Sequence, residues 1–115
     1  MKRRHRLSRS RDFDAVYRQG RSVATRYLVL YSFPREEPAE GPRLGLAVSR
    51  QLGGATERNR MKRRLRAAFD ELSDELPAEN DYVLIARPGL PELVETRGFP
   101  WLRERVQEIF RRVAA

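Results

Sequence analysis

The chain contains no cysteine. That excludes disulfides, thiolate metal sites and cysteine nucleophiles, and it suits a reducing, cytoplasmic setting. Histidine occurs once, at His5, in a basic N-terminal stretch (residues 1–7) expected to be mobile. No apolar run approaches the roughly 20 residues that span a bilayer, so a soluble protein with no membrane partner is expected. The start, Met1-Lys2-Arg3-Arg4-His5-Arg6, is basic but no apolar core follows it, which argues against a secretory signal. An Arg- and Ser-rich start can also look like a transit peptide, yet folded-domain patterning begins at Leu7. There are no internal repeats.

What is present is arginine. The chain has 115 residues, of which 40% are hydrophobic, enough for a single domain (1–115) around one core. Its mean hydropathy is low, −0.70, because 35% of the residues are charged. The net charge is +8, and a field of that sign attracts polyanions. The charge is segregated. Residues 1–30 hold nine Lys or Arg against two Asp, and residues 50–66 hold seven against one Glu. The remainder is net acidic, with eight basic and thirteen acidic groups. A merely solvated surface has no reason to sort charge this way, whereas a nucleic-acid surface does. Only Lys2 and Lys62 are lysine. Arginine's planar fork matches phosphate oxygens and stacks on bases, although a GC-rich genome would also enrich it.

The pattern along the chain predicts the order α-β-β-α-β-α. Ser8 or Ser10 caps a first helix running to Gln19, with Phe13, Val16 and Tyr17 on one face. Residues 24–33 are rich in aromatic and β-branched side chains and read as one strand. Residues 34–42 carry three prolines and form a loop. Residues 43–50 alternate Leu44, Leu46 and Val48 against small residues, which predicts a strand in a hairpin with the preceding one. After a Gly-Gly turn, Thr56 caps a helix ending near Leu72, with Met61, Leu65, Ala68, Phe69 and Leu72 in one stripe. Residues 77–80 form a turn. Residues 81–87 form a strand apolar enough to be buried on both faces. Residues 90–98 are ambiguous. A last helix covers residues 99–113, with Leu102, Val106, Ile109, Phe110 and Val113 on one face.

The central helix carries Arg58, Asn59, Arg60, Lys62, Arg63, Arg64 and Arg66 within nine positions. At 100° per residue, Arg58, Lys62 and Arg66 line one flank, Arg60 and Arg63 continue round the back, and Arg64 reaches the other flank. Like charges at i, i+4 repel, and cations near a helix N-terminus oppose the macrodipole. Two local rules are broken at one place, as at a functional surface.

These residues also carry a resemblance. RNRMKRRLRAAF, preceded by GLAVSRQLGGATE, resembles the arginine-asparagine-arginine signature of the bacterial ribonuclease P protein subunit family. RLSRSRDFDAVYRQGRSVATRYLVLYS is similar to that family's first helix and strand, and DYVLIARPG to its later strand. The resemblance implies an α/β (α+β) two-layer sandwich with a left-handed βαβ crossover. It implies a ribonucleoprotein that removes the 5′ leader from precursor tRNA, in which RNA performs the catalysis. Its partners would be the ribonuclease P catalytic RNA and precursor tRNA, with no protein partner required. The protein alone would bind no cofactor; the holoenzyme requires Mg2+, held mainly by RNA. Arg58, Asn59, Arg60, Lys62, Arg63 and Arg66 match the positions that face the catalytic RNA. Phe13, Tyr17, Tyr31, Ser49 and Arg50 match those lining the cleft for the single-stranded leader, where aromatic faces stack on bases and cations track phosphates. By spacing alone, Phe13 and Tyr17 read as core residues. The chain departs from the family's usual pattern at Gly54, Glu57 and Gln51, and mildly at Tyr17.

Independent catalysis is not expected. Asp12 and Asp14 have no evident third ligand, and Glu36, Glu37 and Glu40 sit in the proline-bearing loop. A ribosomal protein of similar fold would share the charge and element order but not the full signature. A DNA-binding helix could present Arg58-Asn59-Arg60 to base edges, but no helix-turn-helix pair accompanies it.

Overall fold

A computed structural model describes residues 21–34 and 41–114. Strands β1 (Arg21–Ala24), β2 (Leu28–Pro34) and β3 (Arg43–Ala47) come first, followed by helix α1 (Ala55–Leu72), strand β4 (Asn80–Ala86), and helices α2 (Leu90–Arg97) and α3 (Phe99–Ala114). The first helix expected from the sequence, with Phe13 and Tyr17, lies outside the described residues, as does most of the acidic loop.

The segment 24–33 is not one strand but the second half of a hairpin. Thr25 breaks it: its Oγ1 accepts from the backbone N–H groups of Tyr27 (3.4 Å) and Leu28 (3.2 Å), the local side-chain bonding that favours turns. β1 then returns antiparallel along β2, with Arg21 opposite Ser32 and Ala24 opposite Val29.

The hairpin expected between β2 and β3 does not form. The sheet order is β1-β2-β4-β3. β4 sits between them, antiparallel to β2 (Leu30 opposite Leu84) and parallel to β3 (Leu46 opposite Leu84). Its apolar run fits a central strand: Tyr82, Leu84 and Ala86 join the main core, while Val83 heads a separate cluster with Tyr31, Phe33 and Ile85.

Helices α1 and α3 cover the core side of the sheet. Met61, Leu65, Ala68, Phe69 and Leu72 of α1 are buried, as are Leu102, Val106, Ile109, Phe110 and Val113 of α3. Phe110 packs against Tyr82 (ring centroids 5.0 Å apart) and Phe69 (5.7 Å). Burying one large apolar side chain contributes about 1.5–3 kcal/mol, whereas a like-charge i, i+4 pair costs about 0.2–0.5 kcal/mol. The apolar stripe therefore holds α1 helical despite its crowded cations.

Thr56 does not cap α1. The helix starts at Ala55, Gly54 is the extended N-cap residue, and the Arg58 N–H donates to the Gly54 carbonyl at 3.0 Å. Residues 90–98, ambiguous by pattern, form α2 up to Gly98, whose φ of 86° ends the helix and turns the chain into α3.

Candidate nucleic-acid interface

The topology gathers the connections that carry arginine at one end of the sheet. β3 and β4 are parallel, so the link from β3 to α1 and the link from β4 to α2 both leave from that end. The β1–β2 turn is there too, because Leu28 pairs with Ala86 and the Arg87 N–H donates to the Tyr27 carbonyl at 2.9 Å. Ligands of open α/β sheets commonly bind outside the carboxyl ends of parallel strands. Arg26, Arg50 and Arg87 are exposed at this end.

The link from β3 to α1 is tightly built. Ser49 Oγ accepts from the Gln51 N–H at 3.2 Å, capping a 3₁₀ turn over Arg50–Leu52. Gly53 follows with φ 140° and ψ −178°, a conformation essentially restricted to glycine. A Cβ there would lie 3.1 Å from Glu57 Cβ, so the acid of the first helical turn packs over the Gly53-Gly54 backbone. Gly54 itself is ordinary extended backbone, so its departure from the family pattern imposes no strain.

The cations of α1 divide between two environments. Arg64 Nη1 donates to Glu95 Oε1 of α2 at 2.9 Å, and Arg60 Nη1 lies 3.6 Å from the same oxygen. The hydrogen bond and charge of Arg64, with a smaller contribution from Arg60, hold the Glu95 carboxyl below the usual carboxylate range. The same flank lines a cavity of about 200 Å³ between α1 and α2, bounded by Leu52, Met61 and Pro91 among others. Further along it, Arg103 of α3 approaches Glu71 at 3.5 Å. Arg58, Lys62 and Arg66 lie on the opposite flank, turned away from α2 and α3, with Asn59 and Arg63 on the back. Among the described residues Arg58, Lys62 and Arg63 have no ion pair. Arg58 is half-buried against the stripe, with its Nε shielded and unpartnered.

Tyr31 lies on the other side of the sheet. Side chains alternate along β2, so Leu28, Leu30 and Ser32 turn toward the helices and Tyr31 and Phe33 turn away. Tyr31 is half-buried beside Val83. On the same face Arg43 grips Asp81 through two hydrogen bonds of 2.8 and 2.7 Å. Thus Tyr31 stands on a strand face, Ser49 and Arg50 stand at the strand ends, and the α1 cations stand round the corner from both. Phe13 and Tyr17, the other expected cleft residues, lie outside the described residues.

Glu95 was not singled out by the sequence, and no local pattern marks it: its partners are more than thirty residues away. The aromatic group of Tyr27 and Trp101 was missed for the same reason. Among the described residues, no three His, Cys, Asp or Glu side chains converge as metal ligands, and no helix is long and apolar enough to cross a membrane.

A small α+β protein with arginine gathered at the carboxyl ends of its parallel strands has the architecture of a nucleic-acid-binding module. The family model described as Ribonuclease P matches residues 1–114, and the chain belongs to that family. The ribonuclease P protein component of Shouchella clausii is 48% identical over 87 residues, covering 76% of this chain and 70% of that one. That of Bacillus cereus strain AH187 is 36% identical over 112 residues, covering 97% and 93%. Among solved structures, the RNase P protein of Thermotoga maritima superposes with a TM-score of 0.83 at 32% identity, over 94% of this chain and 96% of that one. That of Staphylococcus aureus gives 0.76 at 30% identity, over 96% and 92%.

Proposed function

We propose that the chain is the protein subunit of a ribonuclease P ribonucleoprotein, which holds the catalytic RNA and the 5′ leader of precursor tRNA while RNA cuts the phosphodiester bond. The observation that carries this reading is the outer surface of α1. Arg58, Lys62 and Arg63 are held on a rigid helix with no acidic partner among the described residues, and Asn59 and Arg66 extend that surface. Guanidinium and ammonium groups so placed would replace counterions along an RNA backbone. Arg60 contributes less, because Glu95 shares its charge.

The leader would run over the sheet face that bears Tyr31 and past the strand ends at Ser49 and Arg50; Phe13 and Tyr17 are the further stacking residues that the resemblance implies. A tyrosine ring stacks on an unpaired base irrespective of sequence, and an adjacent arginine follows the phosphates. That combination suits leaders that differ from one precursor to the next. Any Mg2+ would be held mainly by RNA, and no step is assigned to a metal on this chain.

The test is cleavage of a labelled precursor tRNA by a bacterial ribonuclease P RNA at low magnesium and near-physiological salt. RNA with protein should release the leader far faster than RNA alone, and protein alone should release none. Binding of the RNA without any effect on cleavage would overturn the reading and leave a non-catalytic RNA-binding protein.

A further inference from the structure

Away from the outer surface of α1 and the Tyr31 face, the structure builds a second cationic aromatic group. Tyr27 in the β1–β2 turn meets Trp101 in the first turn of α3, edge to face, with ring centroids 5.2 Å apart. Both rings are half-buried. Arg97 and Arg105 lie over the Trp101 ring at 5.9 and 5.7 Å, and Arg26 lies over Tyr27 at 5.8 Å. Arg87 Nη1 donates to the Thr25 carbonyl at 2.8 Å and completes the cluster.

The charges at this group are poorly compensated. Arg26 and Arg97 are exposed and have no ion pair among the described residues. Arg105 has Glu104 and Glu108 nearby, each at 3.6 Å, and its Nε is shielded without a hydrogen-bond partner. A tryptophan that only closed the core would gain little from guanidinium groups held over its face in water, where a cation–π contact contributes modestly. Guanidinium planes and aromatic rings within one patch form instead the kind of platform on which unpaired bases stack and phosphates are neutralised.

We propose that Tyr27 and Trp101, with Arg26, Arg87, Arg97 and Arg105, form a second contact for single-stranded RNA. The proposal rests on the reading of the chain as an RNA-binding protein, but on no step of leader removal. An acidic protein would find the charges here but would have no use for the aromatic rings. The RNA strand belongs either to an unpaired region of the catalytic RNA or to precursor tRNA.

Trp101 is the only tryptophan in the chain, so its emission reports on this patch alone. The full-length protein is titrated with a short oligoadenylate, following Trp101 fluorescence and, separately, the anisotropy of a labelled copy of the RNA. Emission should change in step with binding. The exposed pair Arg26→Gln/Arg97→Gln should bind the oligonucleotide about tenfold more weakly, and with a smaller salt dependence. Trp101→Phe, which keeps a ring against Tyr27, should weaken it less. Repeating the titration with catalytic RNA, precursor tRNA and mature tRNA identifies the source. A response to catalytic RNA alone assigns the strand to it, and a response to precursor but not mature tRNA assigns it to the leader.

No binding of the oligonucleotide, or binding with unchanged emission and equal affinity in Arg26→Gln/Arg97→Gln, would overturn the proposal. A protein that stimulates cleavage normally yet gives that result keeps its ribonuclease P function and loses this site. A protein that fails to stimulate cleavage but shows the emission change loses the function and keeps the site.

Discussion

The two flanks of α1 carry the same kind of side chain and face different partners. On one, Arg60 and Arg64 converge on Glu95 and tie α1 to α2. On the other, Arg58 and Lys62 lead onto the back of the helix at Arg63 with no acidic partner among the described residues. Count and spacing of arginines thus do not determine which of them are neutralised within the fold. A carboxylate from a neighbouring helix does, pairing with one flank and leaving the other charged.

The largest effect is expected from removing the unpaired surface. The triple change Arg58→Ala, Lys62→Ala and Arg63→Ala should weaken catalytic-RNA binding on the order of a hundredfold at moderate salt. Circular dichroism should still show a folded protein, since none of the three belongs to the buried stripe. Arg60→Ala should weaken binding only about threefold in a filter-binding assay, because Glu95 already shares its charge. A loss equal to that of the triple variant would dissolve the distinction between the flanks.

Glu95→Gln sharpens the comparison from the opposite side. Removing the anion frees Arg60 and Arg64, so affinity for RNA should rise about twofold. A fall would mean that Glu95 orients those arginines toward phosphate instead of competing for them. The smallest effect concerns pH. The folded-state pKa of Glu95 is lowered by its arginines. Its contribution to stability is therefore present above the unfolded value and is lost as pH falls through the folded value. Carbon NMR of the Glu95 carboxyl should place its midpoint below the ordinary glutamate value, and Arg64→Ala should move it back up.

The parts legible in the sequence were those that one element decides alone. All five stripe residues of α1 and all five of α3 are buried, because a 3.6-residue period needs no knowledge of the partner. Pairing was not legible. Alternation in residues 24–33 and 43–50 announces strands but not neighbours, so β4's insertion between β2 and β3 could not be seen. The Thr25 turn was hidden because a single side-chain oxygen, not a Gly or Pro signal, breaks the strand. Thr56 looked like a cap from its type, yet the backbone of Gly54 takes that place.

The cationic residues of α1 were visible as a block, but their division was not, since Glu95 lies on a helix whose pattern was ambiguous. Tyr27, Arg97 and Trp101 are scattered along the chain and become neighbours only through the hairpin turn and the bend at Gly98. Tyr31 was singled out through resemblance. The fold adds that it faces away from α1, so the leader and the catalytic RNA would be held by different sides of the molecule.

The central claim is that RNA meets Arg58, Lys62 and Arg63 of α1 and not the flank bound to Glu95. Its most direct test is the salt dependence of catalytic-RNA binding by Arg58→Ala/Lys62→Ala and by Arg60→Ala/Arg64→Ala. The first pair should lower the slope of log K against log salt by about 2, or about 1 for each phosphate that is no longer neutralised, and the second should lower it by much less. Equal slopes in the two variants, or the larger drop in the second, would contradict the claim.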